Sequence, residues 1–169
     1  MGCALLVAIA SLSLSAQNTS KTELFVGYTH VRFNGQPLGF ADATGLNGGE
    51  VSGSYVFRPW IGVVLDASAA FGSALGQSVH NYALLTGPQV WYGKGKARVF
   101  GRVLVGASHD TVSVLGSNNH LTYGAGGGAE IDVRPRLAVR LIQADYLMGR
   151  GFSETQRNLR LSGGVVFRW

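Results

Sequence analysis

The last twelve residues of the chain, 158–169, alternate strictly between two kinds of position. Every second position is apolar or glycine, and the series ends on an aromatic side chain: Leu159, Leu161, Gly163, Val165, Phe167 and Trp169. The other positions are mostly polar or small: Asn158, Arg160, Ser162, Gly164, Val166 and Arg168. A period of two predicts a β-strand with one apolar and one polar face. Soluble strands average about 5–6 residues, whereas a tilted strand that crosses a bilayer needs about 9–11. The stretch therefore predicts a transmembrane strand.

Seven similar runs precede this one. The predicted strands are residues 22–33, 47–57, 61–71, 80–92, 97–108, 122–133, 137–147 and 158–169. Short turns follow the second, fourth and sixth runs, whereas longer segments follow the others: residues 34–46, 72–79, 109–120 and 148–157. Short periplasmic turns that alternate with longer extracellular loops are typical of outer-membrane barrels. Because an open sheet edge cannot exist in lipid, we predict an all-β fold: a closed, eight-stranded, antiparallel up-and-down transmembrane β-barrel.

Three of the runs depart from simple alternation. Pro88 removes one ladder hydrogen bond from the fourth strand, so a bulge or local opening is expected there. The fifth run, 97–108, is the least regular, and the facing of the seventh is ambiguous between Arg140 and Asp145.

The composition also favours a membrane surface. Charged residues make up 14% of the chain, against about 25% in ordinary soluble domains. The net charge is +5, but the basic residues are scattered and no nucleic-acid-binding motif is present. The expected partners are therefore outer-membrane lipids and lipopolysaccharide, and no nucleic acid.

Residues 1–16 have the organisation of a signal peptide. A short apolar run is followed by small residues, with cleavage expected after Ala16 or, alternatively, after Ser15 or Ser13. The barrel domain would then comprise residues 17–169. Cys3 is the only cysteine, so the mature chain would carry no thiol. We expect export through the periplasm and insertion into a bacterial outer membrane.

The C-terminal residues resemble the barrel-assembly signal of outer-membrane proteins, with Ser162, Gly164, Phe167 and Trp169 at the expected spacing. Residues 143–147 (QADYL) and 87–92 (GPQVWY) also resemble segments of this class. Over about residues 23–169 the chain resembles the small outer-membrane β-barrels of Gram-negative bacteria, of the OmpA transmembrane-domain and OmpX type. The resemblance implies a barrel inserted by the barrel-assembly machinery, and we expect a monomer. It implies little about an activity.

No catalytic constellation emerges from the residues. The four histidines map to loops or upper strand ends: His30, His80, His109 and His120. The nearest approach to a site is His109-Asp110-Thr111, but adjacent residues of a strand point to opposite faces, which is poor geometry for a dyad. The glycines from Gly124 to Gly128 lack the Gly-Lys-Ser/Thr ending of a phosphate-binding loop. We expect no catalytic residue, no cofactor and no bound metal.

Charged residues on the polar faces of the strands are more informative. Five of them are predicted to point into the barrel: Glu50, Asp66, Glu130, Arg160 and Arg168. Both signs inside a narrow barrel favour mutual pairing, because an unpaired buried charge is costly. This predicts a plugged lumen in a non-catalytic barrel that contributes to envelope integrity or surface interaction through its extracellular loops. The alternatives are a lipid-modifying enzyme and a small-solute pore.

One specific contact is also predicted. Closure of the last strand on the first brings Arg168 and Glu23 to the same periplasmic end, so they could pair if both point inward. Phe25 shares parity with Glu23 and would then point inward as well.

Overall fold

The computed structural model describes residues 21–33, 44–74, 77–112, 116–151 and 154–169. The predicted signal peptide therefore lies outside the described residues. The described chain forms eight antiparallel strands: β1 (Thr22–Phe33), β2 (Thr44–Arg58), β3 (Ile61–Ala74), β4 (Gln77–Lys94), β5 (Ala97–Val112), β6 (Gly116–Arg134), β7 (Leu137–Gly151) and β8 (Glu154–Arg168). Each strand pairs with the next, and β1 pairs with β8 to close the barrel. The predicted fold class is confirmed.

The alternation in β8 shows how the sequence forms this barrel. Arg160 and Val166 are fully buried in the lumen, whereas Leu161 and Phe167 are exposed on the outer surface. The polar face of the strand is thus inside and the apolar face outside, the reverse of a water-soluble barrel. This arrangement is stable only where the surroundings are apolar.

One end of the barrel, which we call the turn end, has three two-residue turns at residues 59–60, 95–96 and 135–136. Gly95 has a φ of 67°, a left-handed conformation that glycine adopts without steric cost. Backbone hydrogen bonds between Thr22 and Trp169, at 3.1 Å in both directions, join the two ends of the described chain.

At the opposite, far end, the predicted loops were wrong in extent. The strands continue through most of residues 72–79, 109–120 and 148–157, and residues 75–76, 113–115 and 152–153 separate the described strands. The first predicted loop is also shortened, because β2 begins at Thr44. The apolar alternation that marks a membrane strand ends where contact with lipid ends, but the backbone ladder continues beyond it.

The register also shifts close to the turns, between Val56 and Arg58 and between Asp132 and Arg134, and two further irregularities lie deeper in the strands. Gly87 and Pro88 have no partner in β5, yet the register is the same on both sides of them, so the strand opens locally without a bulge. In β7 the register shifts between Arg140 and Gln143, because Leu141 and Ile142 both face outward. This bulge resolves the ambiguous facing of the seventh strand and turns both Arg140 and Asp145 inward.

The outer surface carries an apolar belt between two rows of aromatic side chains. The turn-end girdle consists of Phe57, Trp60, Tyr92 and Trp169, and the far-end girdle of Phe71, Tyr82 and Tyr123. Tyr82 and Tyr92 are ten residues apart on β4, which at about 3.3 Å per residue and about 40° of tilt spans roughly 25 Å. That distance matches the apolar band of an outer-membrane barrel. No helix long and apolar enough to cross a membrane occurs among the described residues.

Candidate functional site

The lumen holds a compact group of charges halfway along the barrel, which we call the mid-lumen cluster. Five strands contribute one residue each: Glu50, Asp66, Arg102, Asp145 and Arg160. The side chains of all five are at most 1% exposed. Two guanidinium groups thus face three carboxylates in the middle of the barrel.

Arg160 connects opposite walls of the lumen. Its Nη1 donates to Asp66 Oδ1 at 2.8 Å and to Ser68 Oγ at 2.9 Å. Its Nη2 donates to Asp145 Oδ2 at 3.1 Å. Because β3 and β8 are not neighbours in the sheet, the bonds to Asp66 and Ser68 cross the interior, whereas the bond to Asp145 joins neighbouring strands.

Arg102 binds Asp145 through two parallel hydrogen bonds. Nε donates to Oδ1 at 2.9 Å, and Nη2 donates to Oδ2 at 2.6 Å, the bidentate geometry that is strongest for arginine and carboxylate. Nη2 also contacts Glu50 Oε1 at 3.2 Å. Glu50 accepts further hydrogen bonds from Gln143 at 2.7 Å and from Ser162 at 2.6 Å. Glu50 and Asp145 are therefore held by several donors each, whereas Asp66 accepts one hydrogen bond from Arg160 and has Arg102 Nη1 at 3.1 Å as a second cation.

A second group lies nearer the turn end, and we call it the turn-end cluster: Glu23, Arg98, Glu130, Arg140 and Arg168. Glu130 is at its centre, with Arg98 at 2.7 Å, Arg140 at 2.7 Å and Arg168 at 2.8 Å. The predicted pair is confirmed, since Arg168 Nε lies 3.1 Å from Glu23 Oε1. Arg168 also donates to Asp132.

Aromatic rings complete the turn-end cluster. The guanidinium carbon of Arg140 lies 4.1 Å from the ring centre of Phe25 and 4.3 Å from that of Phe100. This double cation–π contact stabilises a cation that water does not reach. Glycine makes room for these groups: a Cβ at Gly128 would lie 2.9 Å from the Phe100 ring. A Cβ at Gly126 would lie 2.1 Å from Asp145 Oδ1.

The far end of the lumen, which we call the mouth, has a different composition. Asp110 is 1% exposed and accepts a hydrogen bond from Asn81 Nδ2 at 2.5 Å. His120 Nε2 lies 3.8 Å from Asp110 Oδ2, beyond hydrogen-bonding distance. The structure shows no arginine paired with Asp110 among the described side chains.

The structure places all five sequence-predicted lumen charges inside the barrel, but in two groups. Glu50, Asp66 and Arg160 belong to the mid-lumen cluster, whereas Glu130 and Arg168 belong to the turn-end cluster. The sequence reasoning missed four members of these clusters: Arg98, Arg102, Arg140 and Asp145. For the two in β5 the sequence carried only a partial signal: Val99, Val103 and Val105 share the opposite parity and face outward, but apolar Phe100 and Leu104 share the inward parity.

The residues of the predicted assembly signal divide between the two faces of β8. Ser162 faces the lumen and bonds to Glu50, and Gly164 lies beside Phe25. Phe167 and Trp169 are exposed on the outer surface. Their role in assembly stays a prediction.

His30, His80 and His109 lie at the far ends of β1, β4 and β5, in agreement with the predicted upper strand ends, and the rings of His80 and His109 contact the far-end girdle. Beside it, Thr111 Oγ1 lies 3.2 Å from His109 Nε2, and His109 Nδ1 lies 2.6 Å from Asn119 Oδ1. In the tautomer in which Nδ1 carries the proton, Nδ1 donates to the amide oxygen of Asn119 and Nε2 accepts from the threonine hydroxyl. As predicted, His109 and Asp110 lie on opposite faces of β5. His109 and Thr111, however, lie on the same, outer face.

A shallow groove of about 610 Å³ runs from His109 and Asn119 along the outside of the barrel. Small or apolar side chains line it, including Ala67, Ala69 and Leu84. The described residues contain no group of three or more histidine, cysteine or acidic side chains that could hold a metal ion.

Comparison with known proteins agrees with this geometry. No protein-family model and no curated protein matches the sequence. Among solved structures, Neisserial surface protein A (NspA) superposes with a TM-score of 0.69 at 12% identity, over 89% of this chain and 98% of that one. Ail, the attachment invasion locus protein of Yersinia pestis, gives 0.58 at 16% identity, over 88% and 99%. The outer-membrane protein OprG of Pseudomonas aeruginosa gives 0.58 at 9% identity, over 89% and 96%.

The chain has the fold of the small outer-membrane β-barrels. These similarities extend over nearly the whole chain, but at such low sequence identity they establish the fold alone. The predicted resemblance to this class of barrel is therefore confirmed as a resemblance of fold. A shared fold does not imply a shared functional site. The function of this protein therefore depends on the residues of its own lumen and of the two ends of its barrel.

Proposed function

We propose that this protein is a non-catalytic barrel of the bacterial outer membrane with a plugged lumen, which contributes to envelope integrity and presents its far end as a contact surface. The observation that carries the proposal is the pairing inside the barrel. Each of the five lumen arginines that the structure describes contacts at least one buried carboxylate within 3.1 Å. Eight strands enclose an interior only just wide enough for side chains to fill it, so paired arginines and carboxylates fill space that a solute would need.

The far end is the surface that supports an interaction role. There β4, β5 and β6 extend beyond Tyr82 and Tyr123, so paired strands project past the apolar belt. In outer-membrane barrels, the segments that project beyond the membrane are held by a rigid scaffold and form the variable surface that contacts other molecules. Two of the structurally similar proteins are named as a surface protein and as an attachment and invasion protein. The names belong to those proteins, and they are compatible with a surface role here.

Topology and envelope role can be tested together. Cysteines introduced at Asn118 and at Gly95 should differ in whole cells: an impermeant thiol reagent should label the first and spare the second. A strain that lacks the protein should be more sensitive to detergent, and expression of the wild type should restore resistance. Labelling of Gly95→Cys alone would reverse the topology, and unchanged detergent sensitivity would remove the envelope role.

Insertion is proposed to depend on the barrel-assembly machinery, which would read Ser162, Gly164, Phe167 and Trp169. Deletion of Trp169 should leave the chain in the periplasm, degraded or aggregated. Tyr92→Ala is the matched control, because it removes a turn-end girdle aromatic outside β8 and should insert normally. Normal outer-membrane levels of the Trp169 deletion would contradict the proposed signal. The folded protein is expected to be a monomer.

A second candidate function, acyl-ester cleavage, is favoured by one observation: the Thr111–His109–Asn119 chain at the head of the outer groove. A hydroxyl bonded to an imidazole, itself oriented by a third group, is the arrangement of a nucleophile with its base. Thr111 Oγ1 would attack an ester carbonyl while His109 takes its proton and returns it to the leaving alcohol. Water would then release the acyl group from the threonine.

Mass spectrometry of lipid A and phospholipids separates the two candidates. The non-catalytic barrel predicts identical lipid masses with and without the protein. The second candidate predicts that the wild type and Thr111→Ser remove an acyl chain and that Thr111→Val does not. Thr111→Val keeps the shape of the side chain, so its folding should be unaffected.

A further inference from the structure

The exposed basic residues of the turn end form a single ring, which we call the basic rim. Its members are all exposed and lie at strand ends or in turns: Lys21, Arg58, Lys94, Lys96, Arg134 and Arg136. They come from all four junctions of the turn end: the three hairpins and the start of β1. The ring therefore extends around the barrel rather than along one side.

Acidic groups are separated from this ring. Seven acidic side chains are described, and all belong to the lumen: Glu23, Glu50, Asp66, Asp110, Glu130, Asp132 and Asp145. Asp132 is the most exposed of them, with 37% of its side chain accessible, and it is engaged by Arg168. No described acidic side chain on the outer surface offsets the charge of the basic rim.

The backbone of the rim is fixed. The carbonyl of Lys21 accepts from Val56 N at 2.8 Å, and that of Lys96 accepts from Asp132 N at 2.8 Å. The carbonyl of Arg136 accepts from Arg168 N at 3.0 Å. These backbone positions are thereby bonded to neighbouring strands, so the points from which the basic side chains project are fixed before any ligand arrives.

The turn-end girdle sets the level of the rim relative to a bilayer. Phe57 precedes Arg58 directly, and Tyr92 lies two residues before Lys94. Tryptophan and tyrosine side chains of membrane proteins lie at the headgroup level. The basic side chains just beyond them therefore reach the phosphates of the adjacent leaflet, where each basic group attracts anionic lipid.

We propose that the basic rim binds the headgroups of anionic phospholipids and enriches them around the turn end of the barrel. The inference rests on the membrane location given under the proposed function. Headgroups fit better than a soluble polyanion, because the ring follows the circumference of the barrel at the edge of the apolar belt. A lipid that contacts the rim thus keeps its acyl chains against the belt.

Tryptophan quenching by brominated lipids tests this directly. In the background of Trp91→Phe, which removes the lumen tryptophan, the remaining emission comes from Trp60 and Trp169 at the turn end. The folded protein is placed in phosphatidylcholine vesicles that contain either brominated phosphatidylglycerol or brominated phosphatidylcholine at equal mole fraction. We expect the relative binding constant of phosphatidylglycerol to exceed that of phosphatidylcholine by about threefold or more at low salt, and to fall towards one at high salt.

Two variants decide the outcome. Replacement of Lys94, Lys96, Arg134 and Arg136 by glutamine should abolish the preference, whereas Arg32→Gln/Arg157→Gln, at the far end, should retain it. Exchange of lysine for arginine, and the reverse, at the four rim positions should also retain it. Equal quenching by both lipids in the wild type, or an unchanged preference in the glutamine variant, would overturn the proposal. Absence of quenching by either lipid would instead contradict membrane insertion, and thus the proposed function.

Discussion

The mid-lumen cluster and the mouth are both buried and both polar, yet among the side chains that the structure describes only the first contains arginine. In the mid-lumen cluster, Arg102 and Arg160 hold three carboxylates that come from three different strands. At the mouth, Asp110 is equally buried but has one neutral donor, Asn81, and a histidine at 3.8 Å. Burial alone therefore does not determine whether a carboxylate in this barrel is paired with arginine.

The difference follows from the cost of removing charges from water. A buried carboxylate is tolerated when cations and hydrogen bonds compensate it, and removal of one partner leaves the other charge uncompensated. The mid-lumen cluster should consequently respond strongly to single substitutions, and the mouth weakly.

The largest effect is expected for Arg160→Met. The change leaves Asp66 and Asp145 without one of their cations, so we expect a loss of about 3–5 kcal/mol in the free energy of unfolding. Urea unfolding in lipid vesicles, followed by gel mobility without heating, gives the value. Arg157→Met is the matched control on the same strand, where an exposed side chain should change stability by less than about 0.5 kcal/mol. A loss below about 1 kcal/mol for Arg160→Met would remove the contrast with the mouth.

A smaller effect is expected for Arg140→Leu in the turn-end cluster. Glu130 keeps Arg98 and Arg168 as partners, but the cation–π contacts with Phe25 and Phe100 are lost. We expect a loss of about 2–3 kcal/mol, measured in the same way. Arg140→Lys should recover part of it, because lysine keeps the charge without the planar stacking surface. Full recovery would show that the rings contribute nothing.

Arg98→Gln should cost less still. The side chain of Arg98 is 23% exposed, so water screens its pairs with Glu23 and Glu130. The expected loss is about 1 kcal/mol. A loss as large as that of Arg160→Met would mean that solvent exposure does not determine how much each ion pair contributes to the free energy of unfolding.

The smallest effect is expected at the mouth. Asp110→Asn removes a buried charge without an arginine partner and keeps a side chain that can bond to Asn81. Stability should stay within about 1 kcal/mol of the wild type, with a gain more expected than a loss. Asp66→Asn is the paired comparison and should destabilise the barrel. A loss above about 2 kcal/mol for Asp110→Asn would show that the mouth is as dependent on charge as the mid-lumen cluster.

The parts of the fold that were predictable are those where lipid imposes a pattern. In β8 every second side chain contacts the bilayer, so the alternation from Leu159 to Phe167 shows directly which residues face lipid and which face the lumen. The far ends of the strands were missed because, beyond the belt, neither face has to be apolar. The bulge in β7 was also missed, since Leu141 and Ile142 could not be recognised as adjacent outward residues without the register.

The clusters were predictable only in part for a related reason. The inward face of β5 mixes Arg98 and Arg102 with Phe100 and Leu104, so polarity does not label it as the lumen face. Partners across the barrel depend on the stagger of the strands, which sequence parity does not contain. The pairing of Arg160 with Asp66, from β8 to β3, is a contact of that kind.

Closure of the lumen by the paired charges is tested most directly by single-channel recording. The folded wild-type protein, reconstituted in a planar bilayer, should give no large steady conductance, whereas Arg160→Met should give measurable leak events. The conductance of the Arg157→Met control should match the wild type. Stable, porin-like channels from the wild-type monomer would contradict the account, because they would show that the arginines and carboxylates line an open pore.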